Sequence, residues 1–222
     1  EVGGPAAVST SYVSLNHRYN FPFAGTSVSG YVVPLETCGA QDIDLTARGG
    51  MVAISDGASS DFQSPGEFTA GTGVFRYCFC PDTFLCTESE HFKTDLGELV
   101  VTGPDSWSGA ATCTSGFTCD LLPISGIELL VSEFGAQYDA SHVFVADEGG
   151  CSTGAGSSAW PDISLTLESS LSGSDIIIDA TRTVLSASTA GAVSASAGRY
   201  DVCWCAYLEG GVSCQGSPSF YL

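Results

Sequence analysis

Lysine is almost absent from this chain: Lys93 stands alone among 222 residues, and with five arginines it faces 25 carboxylates, for a formal net charge of −19. A surface this acidic repels phosphate backbones and anionic lipid, so nucleic acid and membrane partners are not expected. Asparagine is nearly as scarce, and neither Asn16 nor Asn20 opens an Asn-x-Ser/Thr sequon. Any glycan would therefore be O-linked, on Ser or Thr. No run of about 18 apolar residues is present to cross a bilayer as a helix. A charged-then-apolar leader is missing too, and a secretion signal is expected outside this segment.

Charged residues make up only 14% of the composition. Long solvent-facing helices draw on Glu, Lys and Arg, so a helical fold is disfavoured. No segment sustains a 3.6-residue period, and Ala187–Ala197 is too rich in Gly and Ser for a helix. Gly-x-Ser-x-Gly, His-Glu-x-x-His and phosphate-cradling Gly loops are all missing, and His17, His91 and His142 fall in no catalytic motif. The chain is expected to be no enzyme and to carry no cofactor.

What the chain has is 44% hydrophobic residues, 27 glycines, abundant Ser and Thr, and ten cysteines. That mixture suits an all-β protein with many turns. Zinc knuckles use Cys-x₂₋₄-Cys pairs, whereas the pairs here are Cys-x-Cys on β-like segments, too rigid for that geometry. Disulfides are the expected state, which places the chain in an oxidising compartment, extracellular or at the cell surface.

The cysteines repeat. Cys38, Cys78-Phe79-Cys80 and Cys86 in the first half match Cys151, Cys203-Trp204-Cys205 and Cys214 in the second. Gly73-Val74-Phe75-Arg76-Tyr77 precedes one Cys-x-Cys and Gly198-Arg199-Tyr200-Asp201-Val202 the other; Phe92 and Phe220 each follow six positions after Cys86 and Cys214. Tyr31–Val33 and Val143–Val145 run upstream of the lone cysteines. Self-similarity of this kind marks tandem modules: one over 1–104 and one over 105–222. Glu1–Pro5 looks like the end of the closing strand Leu96–Pro104 of a preceding copy, and in the second module that strand is expected to be missing. A longer array is the preferred explanation, strand donation between chains the other. The second module is longer before its lone cysteine, and the extra length holds Cys113 and Cys119.

Period-two alternation around each Cys-x-Cys puts Phe75, Tyr77 and Phe79 on one face and Arg76, Cys78 and Cys80 on the other. Tyr200, Val202 and Trp204 likewise oppose Asp201, Cys203 and Cys205. The aromatic face is the core side, because it has the larger apolar area to bury; the sulfurs are expected on an outer face. Further strands are expected at Thr10–Leu15, Ile43–Thr46, Met51–Ser55, Leu99–Thr102, Ile127–Ser132, Ile163–Leu167, Ile176–Asp179 and Thr183–Ser186. Each module then reads as a β-sandwich of about seven strands. The pairing expected is Cys80–Cys86, Cys205–Cys214 and Cys113–Cys119 as local staples, with Cys38–Cys78 and Cys151–Cys203 as long links. Spacing does not decide between Cys78 and Cys80, or between Cys203 and Cys205, for the long partner.

Two ligand readings compete with bland ones. Asp56 and Asp61, like Asp42 with Asp44 and Asp147 with Glu148, are weak calcium candidates, but none fits an EF-hand loop, and solvated surface carboxylates are the simpler reading; no metal is expected. Trp107 and Trp160 sit beside turns, where a ring could stack on sugar, or simply pack at an edge.

The runs Gly-Arg-Tyr-Asp-Val-Cys-Trp-Cys (198–205), Phe-Arg-Tyr-Cys-Phe-Cys (75–80) and Leu-Gly-Glu-Leu-Val-Val-Thr-Gly-Pro (96–104) resemble Cys-rich tandem repeats, similar to immunoglobulin or IPT sandwiches, in very large extracellular proteins of dinoflagellates and related protists. The resemblance implies a surface or filament protein and no particular ligand. The function expected is thus a structural segment of a long repeat protein, a filament, coat or spacer block whose partners are neighbouring modules or copies of itself. The alternative is an adhesin module that binds glycan or a partner protein through its loops.

Overall fold

The computed structural model describes residues 8, 10–16, 18–23, 29–55, 60–104, 111–127, 143–153, 156–171, 182–204, 206–208, 211–213 and 219–221. The chain is all-β and divides into two compact units, Glu1–Val101 and Thr102–Leu222.

The first unit contains β1 (Ser11–Ser14), β2 (Asn20–Phe23), β3 (Gly30–Leu35), β4 (Val52–Ile54), β5 (Ser60–Gln63), β6 (Gly73–Pro81) and most of β7 (Thr94–Pro104). The order β4-β3-β6-β7 is antiparallel, with β1 on β7, and β2 pairs with β5. Strand β6 forms where the sequence alternates: Phe75, Tyr77 and Phe79 enter a core with Val13, Tyr19, Phe21, Val32, Phe68 and Leu99. Phe21 of β2 meets Tyr77 edge-on with ring centroids 4.8 Å apart, which brings the β2–β5 pair onto this face. Tyr19 and Phe68 close it from the connecting segments.

The sulfur face departs from expectation. Cys78 and Cys80 do oppose the aromatics, but this face is no outer surface: both are fully buried with Val33, Leu35, Cys86 and Phe92, and Cys38, Ile43, Leu45 and Met51 pack at the edge. The reason is that residues 36–50 and 82–93 fold back over the strand and are joined there by Gly39 N–H donating to Phe92 O (2.8 Å) and Ile43 N–H to the Ser89 hydroxyl (3.2 Å). Half-cystines are as apolar as small hydrophobes and bury readily. Ile43–Thr46 is therefore a turn rather than the expected strand. Asp44 accepts from both the amide and the hydroxyl of Thr46, a local bond that competes with sheet pairing.

A charged group lies inside the first unit. Arg48, only 6% exposed, ion-pairs with Glu36 and lays its guanidinium against Phe75 and Phe68, 4.8 and 5.6 Å from the ring centroids. Cation–π contact on two rings offsets part of the loss of water. Gly30 marks another tight place. A Cβ there would fall 2.3 Å from Cys80 O and 2.6 Å from the Phe79 ring. Gly30→Ala is expected to cost about 1–3 kcal/mol, the usual penalty of forced overpacking, read as a shift in denaturant midpoint; an unchanged midpoint would mean that β3 can back away from β6.

The second unit takes up the last three residues of β7 and contains β8 (Asp120–Ile127), β9 (Val143–Asp147), β10 (Ile163–Leu171), β11 (Arg182–Thr189), β12 (Tyr200–Trp204), β13 (Ala206–Leu208), β14 (Gly211–Ser213) and β15 (Ser219–Tyr221). Antiparallel pairing gives β10-β11-β8, with Gly103 and Pro104 against β8, then β15-β12-β9, and the β13–β14 hairpin. Val202 and Trp204 enter a core with Val143, Val145, Leu121, Ile124, Ile163 and Ala187. On the other face Cys203 and Cys151 are buried with Ala146.

Strand β8 begins well before the expected Ile127–Ser132, of which only Ile127 lies among the described residues. Ile176–Asp179 lies outside them. Strand β15, which holds Phe220, the counterpart of Phe92, pairs with β12.

Candidate functional site

The described cysteines form four disulfides: Cys38–Cys78, Cys80–Cys86, Cys113–Cys119 and Cys151–Cys203. No described cysteine is free. Cys205 and Cys214 lie outside the described residues; between them stands the β13–β14 hairpin, with Ala206 opposite Ser213.

The two long bridges occupy comparable places. In the first unit Cys78 sits on the middle strand of β3-β6-β7, opposite Val33 on one side and Asp95 on the other. In the second, Cys203 sits on the middle strand of β9-β12-β15, opposite Phe144 and Ser219. Each bridge runs from that middle strand to the segment leaving the first strand of its trio. Lining up Cys78 with Cys203 sets Arg76 beside Asp201, and the two side chains are satisfied differently. Arg76 is held by Asp95 and Glu98, with the Asp95 hydrogen bond as the main cause of its raised pKa. Asp201 is buried, and its carboxylate accepts from Gly149 N–H at 2.7 Å, tying β12 to the turn after β9.

Of the weak calcium candidates, Asp56 lies outside the described residues, and the Asp61 backbone pairs with Pro22 in the β2–β5 ladder. Asp44 is engaged by Thr46, whose hydroxyl, then amide, holds its carboxyl below the usual range. Among the described residues no three His, Cys, Asp or Glu side chains cluster as metal ligands. His91 ends a short 3₁₀ turn, Ser89–His91, where its Nδ1 accepts from Glu88 N–H; His17 and His142 lie outside the described residues, as does Trp107.

Trp160 is half-buried and meets Tyr200 edge-to-face, with centroids 5.2 Å apart. Tyr200 packs against the core of Val202 and Trp204 from its half-buried edge, and its hydroxyl donates to Ser196 O at 2.9 Å. The two rings wall a recess of about 350 Å³, lined also by Thr114, Ser115 and Arg199. Sequence reading singled out Trp160 and the Cys113–Cys119 loop, though not as one site, and did not single out Arg199. The one available signal was the extra length around Cys113 and Cys119.

No protein-family model matches the chain, nor does any curated protein sequence. No helix among the described residues is long and apolar enough to cross a membrane.

Proposed function

We propose that the two units are copies of one disulfide-braced, Ig-like β-sandwich module, and that the chain is a structural segment of a longer extracellular repeat protein, a block of a filament, coat or spacer. The observation that carries this reading is the shared trio: two three-stranded antiparallel ribbons, each with a half-cystine on its middle strand, bridged to the segment leaving its first strand. Phe21 against Tyr77 across the first core supports the two-layer arrangement. Four disulfides suit an oxidising compartment, and the acidic, Ser/Thr-rich surface favours solubility and leaves hydroxyls for O-glycans.

In this reading the residues serve stability rather than chemistry, and the partners are neighbouring modules or further copies of the chain. Repetition supplies length and each module contacts only its neighbours. The test is the natural protein. Its coding sequence should contain further copies of the Cys-x-Cys module, and electron microscopy should show regular beads along a rod. A natural protein of 22.8 kDa, the mass of this segment, would overturn the array.

A further inference from the structure

One place in the second unit combines features that a structural role leaves unused. The recess beside Trp160 is a built feature. Cys113–Cys119 closes the loop that forms one wall, and that loop is fastened to the opposite wall by Gly116 N–H donating to Val193 O (2.7 Å) and Val193 N–H to Phe117 O (2.9 Å). Ser194 N–H donates to Ala159 O (3.0 Å), fixing the same run next to Trp160. The Trp160 indole nitrogen is buried without a partner among the described residues, so what this side chain offers the recess is carbon surface. Tyr200, its hydroxyl held by Ser196, offers a second ring.

Arg199 lines the same recess and is exposed. Arg48 and Arg76 are each matched to carboxylates, whereas Arg199, like Arg18, has no ion pair among the described residues. In a chain of net charge −19, an unpaired guanidinium beside an aromatic wall is the feature in need of a use. Thr114, Ser115 and Ser196 add exposed hydroxyl-bearing residues around it.

The geometry points to a binding site for a carboxylated pyranose, with the sugar's C–H face against Trp160 and Tyr200 and its carboxylate on Arg199. A guanidinium grips a carboxylate through two parallel hydrogen bonds, which a neutral sugar cannot match. Ring-sized apolar walls with a few polar groups are the common form of a small-ligand site, and about 350 Å³ is near the small end of the usual range of about 300–1,000 Å³. That size suits one or two sugar rings and is too small for a stretch of peptide with several side chains. Elsewhere the acidic surface repels an anion, so Arg199 sets the selectivity.

The test titrates the oxidised chain with a short oligogalacturonate and with the neutral oligogalactoside of equal length, by calorimetry. The acidic sugar should bind at least about tenfold tighter, the difference expected of one charged hydrogen-bonded pair. Arg199→Ala should erase that preference, and Ala197→Leu, which fills the recess from its exposed rim, should weaken both ligands. Thermal midpoints should not move; should alanine lower one, Arg199→Gln replaces it. No binding to either sugar, an acid preference that survives loss of Arg199, or equal affinity for an oligoglutamate peptide would overturn the site. None of these outcomes bears on the repeat reading, which rests on the ribbons.

Discussion

A chain with both Cys38 and Cys78 replaced by alanine is expected to lose about 4 kcal/mol of stability, and one lacking Cys80 and Cys86 about 2. The bridges close loops of 40 and 6 residues, and the loss grows with the logarithm of that length because the bond restricts the unfolded chain. Both pairs end in the same buried cluster with Val33, Leu35 and Phe92, so the local packing cost of removal is similar and the difference isolates loop length. Urea unfolding of the two variants measures it. Equal losses would show that native packing of the sulfurs, rather than restriction of the unfolded state, dominates. Cys151–Cys203 spans 52 residues and Cys113–Cys119 spans 6. The four bridges together are then worth roughly 12 kcal/mol, within the total stability of about 5–15 kcal/mol common for native proteins. Full reduction is accordingly expected to unfold the chain without denaturant.

Tyr77→Ala should cost about 3–5 kcal/mol, the range for emptying a large aromatic site. Its ring is fully buried, packed on Phe21 and Tyr19, and its hydroxyl shares a 2.7 Å hydrogen bond with Ser11. Tyr77→Phe keeps the ring and should cost only about 1 kcal/mol, the worth of that bond. The same site dictates behaviour in alkali. Burial raises the pKa of Tyr77, and burial, then the Tyr77 charge, raises that of Tyr19. Below the unfolded value of about 10 their contribution is fully present. As pH rises beyond it, the unfolded state loses protons that the folded state keeps, and stability falls. Alkaline unfolding should therefore set in above about pH 10, and later in Tyr77→Phe than its neutral-pH stability alone would give. A wild-type stability flat from pH 9 to 12 would contradict the burial of both phenols.

Much of the fold was legible where side chains alternate strictly. Strand β6 with Phe75, Tyr77 and Phe79 to one side, and β12 with Val202 and Trp204, follow from period two alone. So do β3 and β9, short apolar runs before each lone cysteine. The cover over Cys78 and Cys80 was not legible, because Ile43, Leu45, Met51 and Phe92 are scattered through irregular segments with no period to read. Strands β2 and β5 were missed for a related reason: Asn20–Phe23 contains a proline and Ser60–Gln63 a single large apolar residue. At the candidate site Trp160 stood out as an aromatic beside turns. Arg199 did not, since an arginine next to a core strand looks like any solvated charge until its lack of a carboxylate partner among the described residues is seen in three dimensions.

The long bridges have a further consequence when the chain is pulled from its ends. A bond between Cys38 and Cys78 short-circuits the 40 positions separating them, and Cys151–Cys203 does the same for 52. At about 3.5 Å of reach per residue, roughly 300 Å of contour is withheld, even from fully unravelled units. Under tension such a chain yields in short steps and then goes taut, and a reductant in the bath would release the withheld contour.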